Sequence, residues 1–186
     1  MAAYVAQQFA YAKAQGWLPF FAASASRFHI APAVLMAIAS RETNMRNIVG
    51  DGGHGYGVMQ IDDRSFPDWC HSGAWGQPAA SIDKGAEVLA GKCLQISHGV
   101  GQRLSVGGRQ FVGKGFNERD PSAVPMILVA IACYNAGLWP YYSYSLGEPI
   151  DAYTTGKNYS TDVWARKAQF EAMLAVQNSS GAQKET

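Results

Sequence analysis

Residues 81–99 read SIDKGAEVLAGKCLQISHG, and their apolar members recur at helical spacing. Ile82, Ala86, Leu89, Cys93 and Ile96 line one stripe, Ser81 stands where an N-cap would accept an orphan amide, and Gly99 stands where helices end. This predicts a helix over 81–98 with Cys93 facing the core. The same punctuation recurs on both sides. Upstream, residues 33–44 follow Pro32 at a first-turn position and stop before the glycine-rich segment that starts at Gly50. Downstream, residues 126–135 are apolar on every side. Periodicity cannot separate that from a buried strand, but Pro125 at the entrance and Gly137 at the exit favour a central helix. At the ends, residues 2–15 set Val5, Phe9 and Ala12 on one side of a helix, and a last helix over 161–177 turns Val163, Phe170 and Leu174 inward. The tail 178–186 has nothing to bury and is expected to be disordered.

Two stretches resist this pattern. Residues 50–57 (GDGGHGYG) hold five glycines in eight positions, so the backbone there needs positive φ or close approach to something. Residues 99–117 predict a short hairpin turning at Gly107 and Gly108. With no repeat and no linker, residues 1–177 read as one mainly α domain of the α+β kind, with a small β-hairpin or loop lobe flanking a substrate cleft.

Composition narrows the function. Of 186 residues, 48% are hydrophobic and 16% charged, enough for a single core and too apolar for disorder along the whole chain. A net charge of +1 gives no field to gather nucleic acid or anionic lipid, so neither is expected as a partner, and a monomer is expected. The longest apolar runs, Ala31 to Ala39 and Met126 to Cys133, fall short of the ~20 residues that cross a bilayer. Residues 2–15 lack the charged start and continuous apolar stretch of a secretion signal. Three cysteines, at 70, 93 and 133 with no CxxC, encode neither a disulfide framework nor a zinc knuckle. One bridge at most can form, with Cys70 and Cys93 the better pair, and three buried thiols is the plainer reading. No cofactor is implied. His29, His54, His71 and His98 show no HExxH or comparable metal-binding spacing.

The chemistry begins at Glu42. Seven residues after Leu35, it continues the stripe of Leu35, Ile38 and Ala39, in its helix's last turn. Apolar neighbours and the negative end of the helix dipole both favour a protonated carboxyl there, which suits a general acid. The plain alternative is a glutamate paired with Arg41 or Arg46. Asp51 and Asp62 then bracket a glycine-rich segment with room for a bulky ligand, though either alone could be a turn residue. Carboxyls in unlike surroundings are what cleavage of a glycosidic bond requires. At the end of the central helix, Asn135 aligns with Leu128, Ile131 and Ala132, and Tyr134 adds a ring face and a hydroxyl, so this pair could line a sugar site or simply cap the helix. Trp69, Trp75, Trp139 and Trp164 could stack on sugars, but tryptophan is more often packing, and they are left out of the site.

Taken in order, Ser40-Arg41-Glu42-Thr43, Gly50–Asp62, Tyr134-Asn135-Ala136-Gly137 and Tyr159-Ser160-Thr161-Asp162-Val163 resemble goose-type lysozyme, from about Pro32 to Phe170. The resemblance extends to the lytic transglycosylases of glycoside hydrolase family 23. It implies a lysozyme-like fold and cleavage of the β-1,4 bond between N-acetylmuramic acid and N-acetylglucosamine in peptidoglycan, with chitin oligomers as possible ligands. It implies Glu42 as the general acid and Asp51 and Asp62 as the pair that positions water. It makes Gln60, Tyr134, Asn135 and Tyr159 the residues along the sugar cleft, with His54 and Tyr56 in the glycine-rich segment beside them. Transglycosylases lack the aspartate pair and form an anhydro-sugar by internal attack, so both aspartates together imply hydrolysis with inversion. The chain departs from avian members in a shorter Glu42–Asp51 connection, which makes Asp62 the safer base, in a longer, glycine-rich 99–120 segment, and in its cysteines. Such an enzyme acts on the cell wall, outside the cytoplasm, by an export route that residues 2–15 do not reveal. A phage lysin or a trimmed bacterial protein fits. A sugar-binding module that has lost turnover is a third reading, weakened by the retained acid.

Overall fold

The computed structural model describes residues 2–120 and 122–182. Three helices open the chain, α1 (Ala2–Ala14), α2 (Leu18–Phe28) and α3 (Pro32–Thr43). Pro32 opens α3, and Asn44 closes it in the left-handed conformation with φ 56°, its N–H returned to the carbonyls of Ala39 and Ser40. Every residue from Ala33 to Ser40 is buried. Over those eight residues α3 has no solvent side, so Leu35, Ile38 and Ala39 do not mark a distinct inward face. Periodicity misleads here because an all-round buried helix carries no stripe.

Contacts divide the chain into two compact units, the division falling within α5 (Pro78–Gly99) and near the start of α8 (Tyr159–Ala182). The first unit holds α1 to α3, the residues up to Glu87, and α8 from Val163 onward. Val5 and Ala12 are fully buried there, and Phe9 meets Phe170 at 6.4 Å between ring centroids. A buried polar chain crosses this core. The Arg166 guanidinium donates to Ser40 Oγ at 2.8 Å, and Ser40 Oγ donates to Gln8 Oε1 at 2.5 Å. Three two-residue strands follow α3, namely β1 (Val49–Gly50), β2 (Gly55–Tyr56) and β3 (Ile61–Asp62), antiparallel in that order, with Val49 opposite Tyr56 and Gly55 opposite Asp62. After α4 (Pro67–His71), α5 begins at Pro78, one turn before Ser81. Ser81 is therefore not a cap: wholly buried, its Oγ accepts the Met59 N–H at 3.3 Å.

This seam supports a stability prediction. A Cβ on Gly85 of α5 would lie 2.7 Å from Met59 Cβ and 2.6 Å from its Cγ, and Met59 is fully buried. Gly85→Ala gains about 1 kcal/mol of helix propensity. Overpacking costs roughly 1–3 kcal/mol, and the new Cβ would press on the Met59 Cβ and Cγ as well as on its Cε at 2.7 Å, so moving the flexible tip alone does not relieve it and net destabilisation is expected. Urea unfolding reads it; a variant more stable than wild type would refute the close seam.

The second unit, Val88–Asp162, contains the rest of α5, β4 (Arg103–Val106), β5 (Arg109–Val112), α6 (Met126–Ala136), α7 (Trp139–Ser145) and the first residues of α8. The hairpin turns where expected. Gly107 and Gly108 both take positive φ, 57° and 78°, between the paired Val106 and Arg109, as a two-residue turn matched to strand twist demands. Val129 to Cys133 of α6 are buried, so the central helix is a helix and not a strand. All three cysteines are free thiols, and burial pushes Cys133 up to about 12. Cys93, expected in the core, is only half-buried. The last helix, α8, starts two residues before and ends five residues after the 161–177 expected for it; residues 183–186 of the expected tail lie outside the described residues. Among the described residues the fold is thus mainly α with two small sheets, an α+β arrangement of lysozyme type.

No single helix among the described residues is long and apolar enough to cross a membrane, and the apolar pair α2 and α3 bends by 119° at its junction.

Candidate active site

Glu42 sits half-buried in the last turn of α3. The next residue ties that helix end to the small sheet: Thr43 Oγ1 lies 3.1 Å from the Ala39 carbonyl and 3.0 Å from the carbonyl of Val58, in the β2–β3 connection. Asp62 follows four residues after Val58, so one short path leads from the glutamate to the aspartate.

The glycine-rich segment meets both of its backbone requirements. Gly57 takes φ 78°, and a Cβ on Gly50 or Gly55 would collide with the Gln60 side chain lying across the sheet. The Gln60 amide nitrogen donates to the carbonyls of Gly57 at 2.9 Å and Ile48 at 3.1 Å, which commits its amide nitrogen to holding β1 and β2 rather than to a ligand. Asp51 and Gln60 both hold left-handed φ, 47° and 49°, a strained state for residues with a Cβ and one that gathers at functional sites.

Arg64, which the sequence reading overlooked, joins the two aspartates. Its Nε donates to Asp62 Oδ1 at 2.6 Å and its guanidinium to Asp51 Oδ2 at 3.2 Å, while Ser65 Oγ donates to Asp62 Oδ2 at 2.8 Å. Burial pushes Asp62 up, but the hydrogen bonds from Arg64 and Ser65, with the Arg64 charge, outweigh it and hold the carboxyl below its ordinary range. Asp62 is thus an ionised, well-oriented acceptor. Asp51 is the more exposed of the two. His54 Nδ1 pairs with Asp63 at 2.9 Å, and Tyr56 meets Trp75 edge to face at 5.6 Å. The signal for Arg64 was a cation two residues from Asp62, a spacing that places it beside that carboxylate in a turn.

The remaining candidates belong to the second unit. Tyr134 and Asn135 are half-buried in the last turn of α6. Asn135 Oδ1 accepts the Thr155 N–H at 2.8 Å, so it secures the segment before α8. Tyr159, expected along the cleft, is only 1% exposed and belongs among the largest buried side chains. Ser160 and Thr161 in the same motif donate to the buried Asp151.

A mainly helical chain of lysozyme type, with a glutamate at a helix end beside a small sheet that bears two arginine-paired aspartates, is the class these elements define. No protein-family model matches the chain. Among curated proteins it is 31% identical over 145 residues to Lysozyme g of Cyprinus carpio, covering 76% of this chain and 65% of that protein. Lysozyme G of Dromaius novaehollandiae is 29% identical over 75% of this chain and 58% of its own length, and Lysozyme g of Gallus gallus 31% over 76% and 57%. The chain spans less than two thirds of the length of these relatives. Together the similarities support a goose-type lysozyme relationship.

Proposed function

We propose that this protein is a peptidoglycan-degrading muramidase, hydrolysing the β-1,4 bond between N-acetylmuramic acid and N-acetylglucosamine with inversion. The observation that carries this reading is the tie from the α3 terminus to the β2–β3 connection, which keeps Glu42 and the Arg64-bound aspartates in one local frame. The names of the relatives support it. Glu42 protonates the leaving oxygen from a helix end whose dipole opposes a carboxylate, and Asp62, with Asp51, orients water on the far side of the sugar. Residues 1–177 act as the catalytic domain, on glycan strands of the cell wall outside the cytoplasm, as a monomer without a cofactor; chitin oligomers fit as ligands.

One observation favours a second reading. Both aspartates are engaged by Arg64, and Asp62, whose pKa these bonds lower, is a weak base toward water. A lytic transglycosylase needs no such base. Mass spectrometry of digested peptidoglycan separates the two, because the anhydro product lacks one water. Hydrolysis predicts hydrated ends and a slower Asp62→Asn variant, with a smaller loss than for Glu42 because Asp51 remains. Anhydro ends alone, with Asp62→Asn at the wild-type rate, would overturn hydrolysis; an intact wall would overturn both readings.

A further inference from the structure

The second unit carries a file of four rings unused by the proposed chemistry. Phe111 of β5 meets Tyr142 at 5.8 Å, Tyr142 meets Trp139 at 6.0 Å, and Trp139 meets Tyr153 at 5.2 Å between centroids. The inner contacts are edge to face, at 63° and 79°, which is ordinary aromatic packing. The outer pair differs. Trp139 and Tyr153 are tilted by only 33°, and they remain 43% and 55% exposed. We infer that Trp139 and Tyr153 form a stacking platform for a pyranose ring of the glycan strand, an additional subsite next to Tyr134 and Asn135.

Three observations point to a sugar. The first is continuity: Trp139 begins α7 four residues after Asn135, and the hydrogen bond from Thr155 N–H to Asn135 Oδ1 fastens the segment carrying Tyr153 to the end of α6. The platform therefore adjoins the end of α6, whose Tyr134 and Asn135 the resemblance to goose-type lysozyme sets along the sugar cleft. The second is charge. Residues 135–147 carry none, neighbouring Glu148 is bound by Arg109 at 2.7 Å, Asp151 is buried, and Lys157 is the one further charge in the segment after Tyr153, so the stretch carries no cluster of charge of the kind that gathers a nucleic acid or a basic peptide. The third is composition. Exposed Trp and Tyr offer apolar faces with polar handles, matching a pyranose that presents C–H groups on its face and hydroxyls on its rim.

The inference rests on the proposed action on glycans, so its test separates the two. The whole chain, as wild type, Trp139→Ala, Tyr153→Ala, the double variant and Trp139→Phe, is measured for co-sedimentation with purified peptidoglycan and for lysis. Leu94→Ala, at an exposed apolar site on α5, is the control. Two stacking contacts predict roughly tenfold weaker binding for the double variant, seen as a raised KM, with recovery in Trp139→Phe and no change in Leu94→Ala. Thermal melts of all variants within a few degrees of wild type are expected, since both rings are partly in water. Binding within twofold of wild type in the double variant, or a melt lowered as strongly as binding, would overturn the platform while leaving the muramidase reading intact. Wild type that neither binds nor lyses peptidoglycan would defeat that reading, and the platform with it.

Discussion

Glu42→Gln is expected to lose about 10²–10⁴ in turnover on purified peptidoglycan while still sedimenting with it, the scale on which removing a general acid acts. Glutamine keeps the size and hydrogen-bonding reach of the side chain but has no proton to give the leaving oxygen. The fold should tolerate the change, because α3 is terminated independently by the Asn44 turn and by the Thr43 tie to Val58. A turbidity assay with both proteins side by side reads the rate, and the sedimented fraction reads binding. Wild-type lysis by Glu42→Gln would remove this residue from the mechanism. If wild type binds the wall without clearing it, the binding-module reading takes its place.

The parts of the fold legible in the sequence were those set by neighbours in the chain. Gly107-Gly108 specifies its hairpin because only two residues of positive φ are needed, and Pro32, Pro125 and Gly137 mark helix ends through their own backbone limits. Burial was less legible. Leu35 and Glu42 share a helical spacing, yet α3 is surrounded by protein over most of its length, so spacing could not say which side mattered. Ser81 is a good cap by type, but its hydroxyl answers Met59, 22 residues away. At the site, Glu42 and the two aspartates could be singled out by residue type and motif, whereas the Arg64 bridge and the Gln60 brace depend on strand pairing that two-residue strands barely announce. Tyr159 was assigned to the cleft through its motif, and that motif also builds the start of α8, with Tyr159 itself buried.

That helix start supports the largest stability effect expected. The first three amides of α8 have no partner within the helix. Tyr159 N–H is satisfied by Thr154 Oγ1 at 3.3 Å, Ser160 N–H by Asp151 Oδ1 at 2.9 Å, and Thr161 N–H by Asp151 Oδ2 at 3.2 Å. The hydroxyls of Thr154, Ser160 and Thr161 also donate to Asp151, at 3.0, 2.8 and 3.0 Å, so a carboxylate only 7% exposed accepts five hydrogen bonds. Burial pushes Asp151 up, but these bonds outweigh it and hold the group below its ordinary value of 3.8. Asp151→Asn turns an amide donor toward groups that are themselves donors, and should cost about 3 kcal/mol at neutral pH. For a chain of this length that lowers Tm by roughly 6–12 °C. A carboxyl whose folded pKa lies below the unfolded one stabilises fully above the unfolded value and loses that contribution as pH falls through the folded one. The gap between wild type and Asp151→Asn should therefore be complete above about pH 5 and close progressively below 3.8. Asp120, also lowered but held by Ser122 at the surface, is the contrast: Asp120→Asn should shift the melt little at any pH. A gap under about 1 kcal/mol at neutral pH, or one that widens in acid, would show that α8 does not depend on this carboxylate.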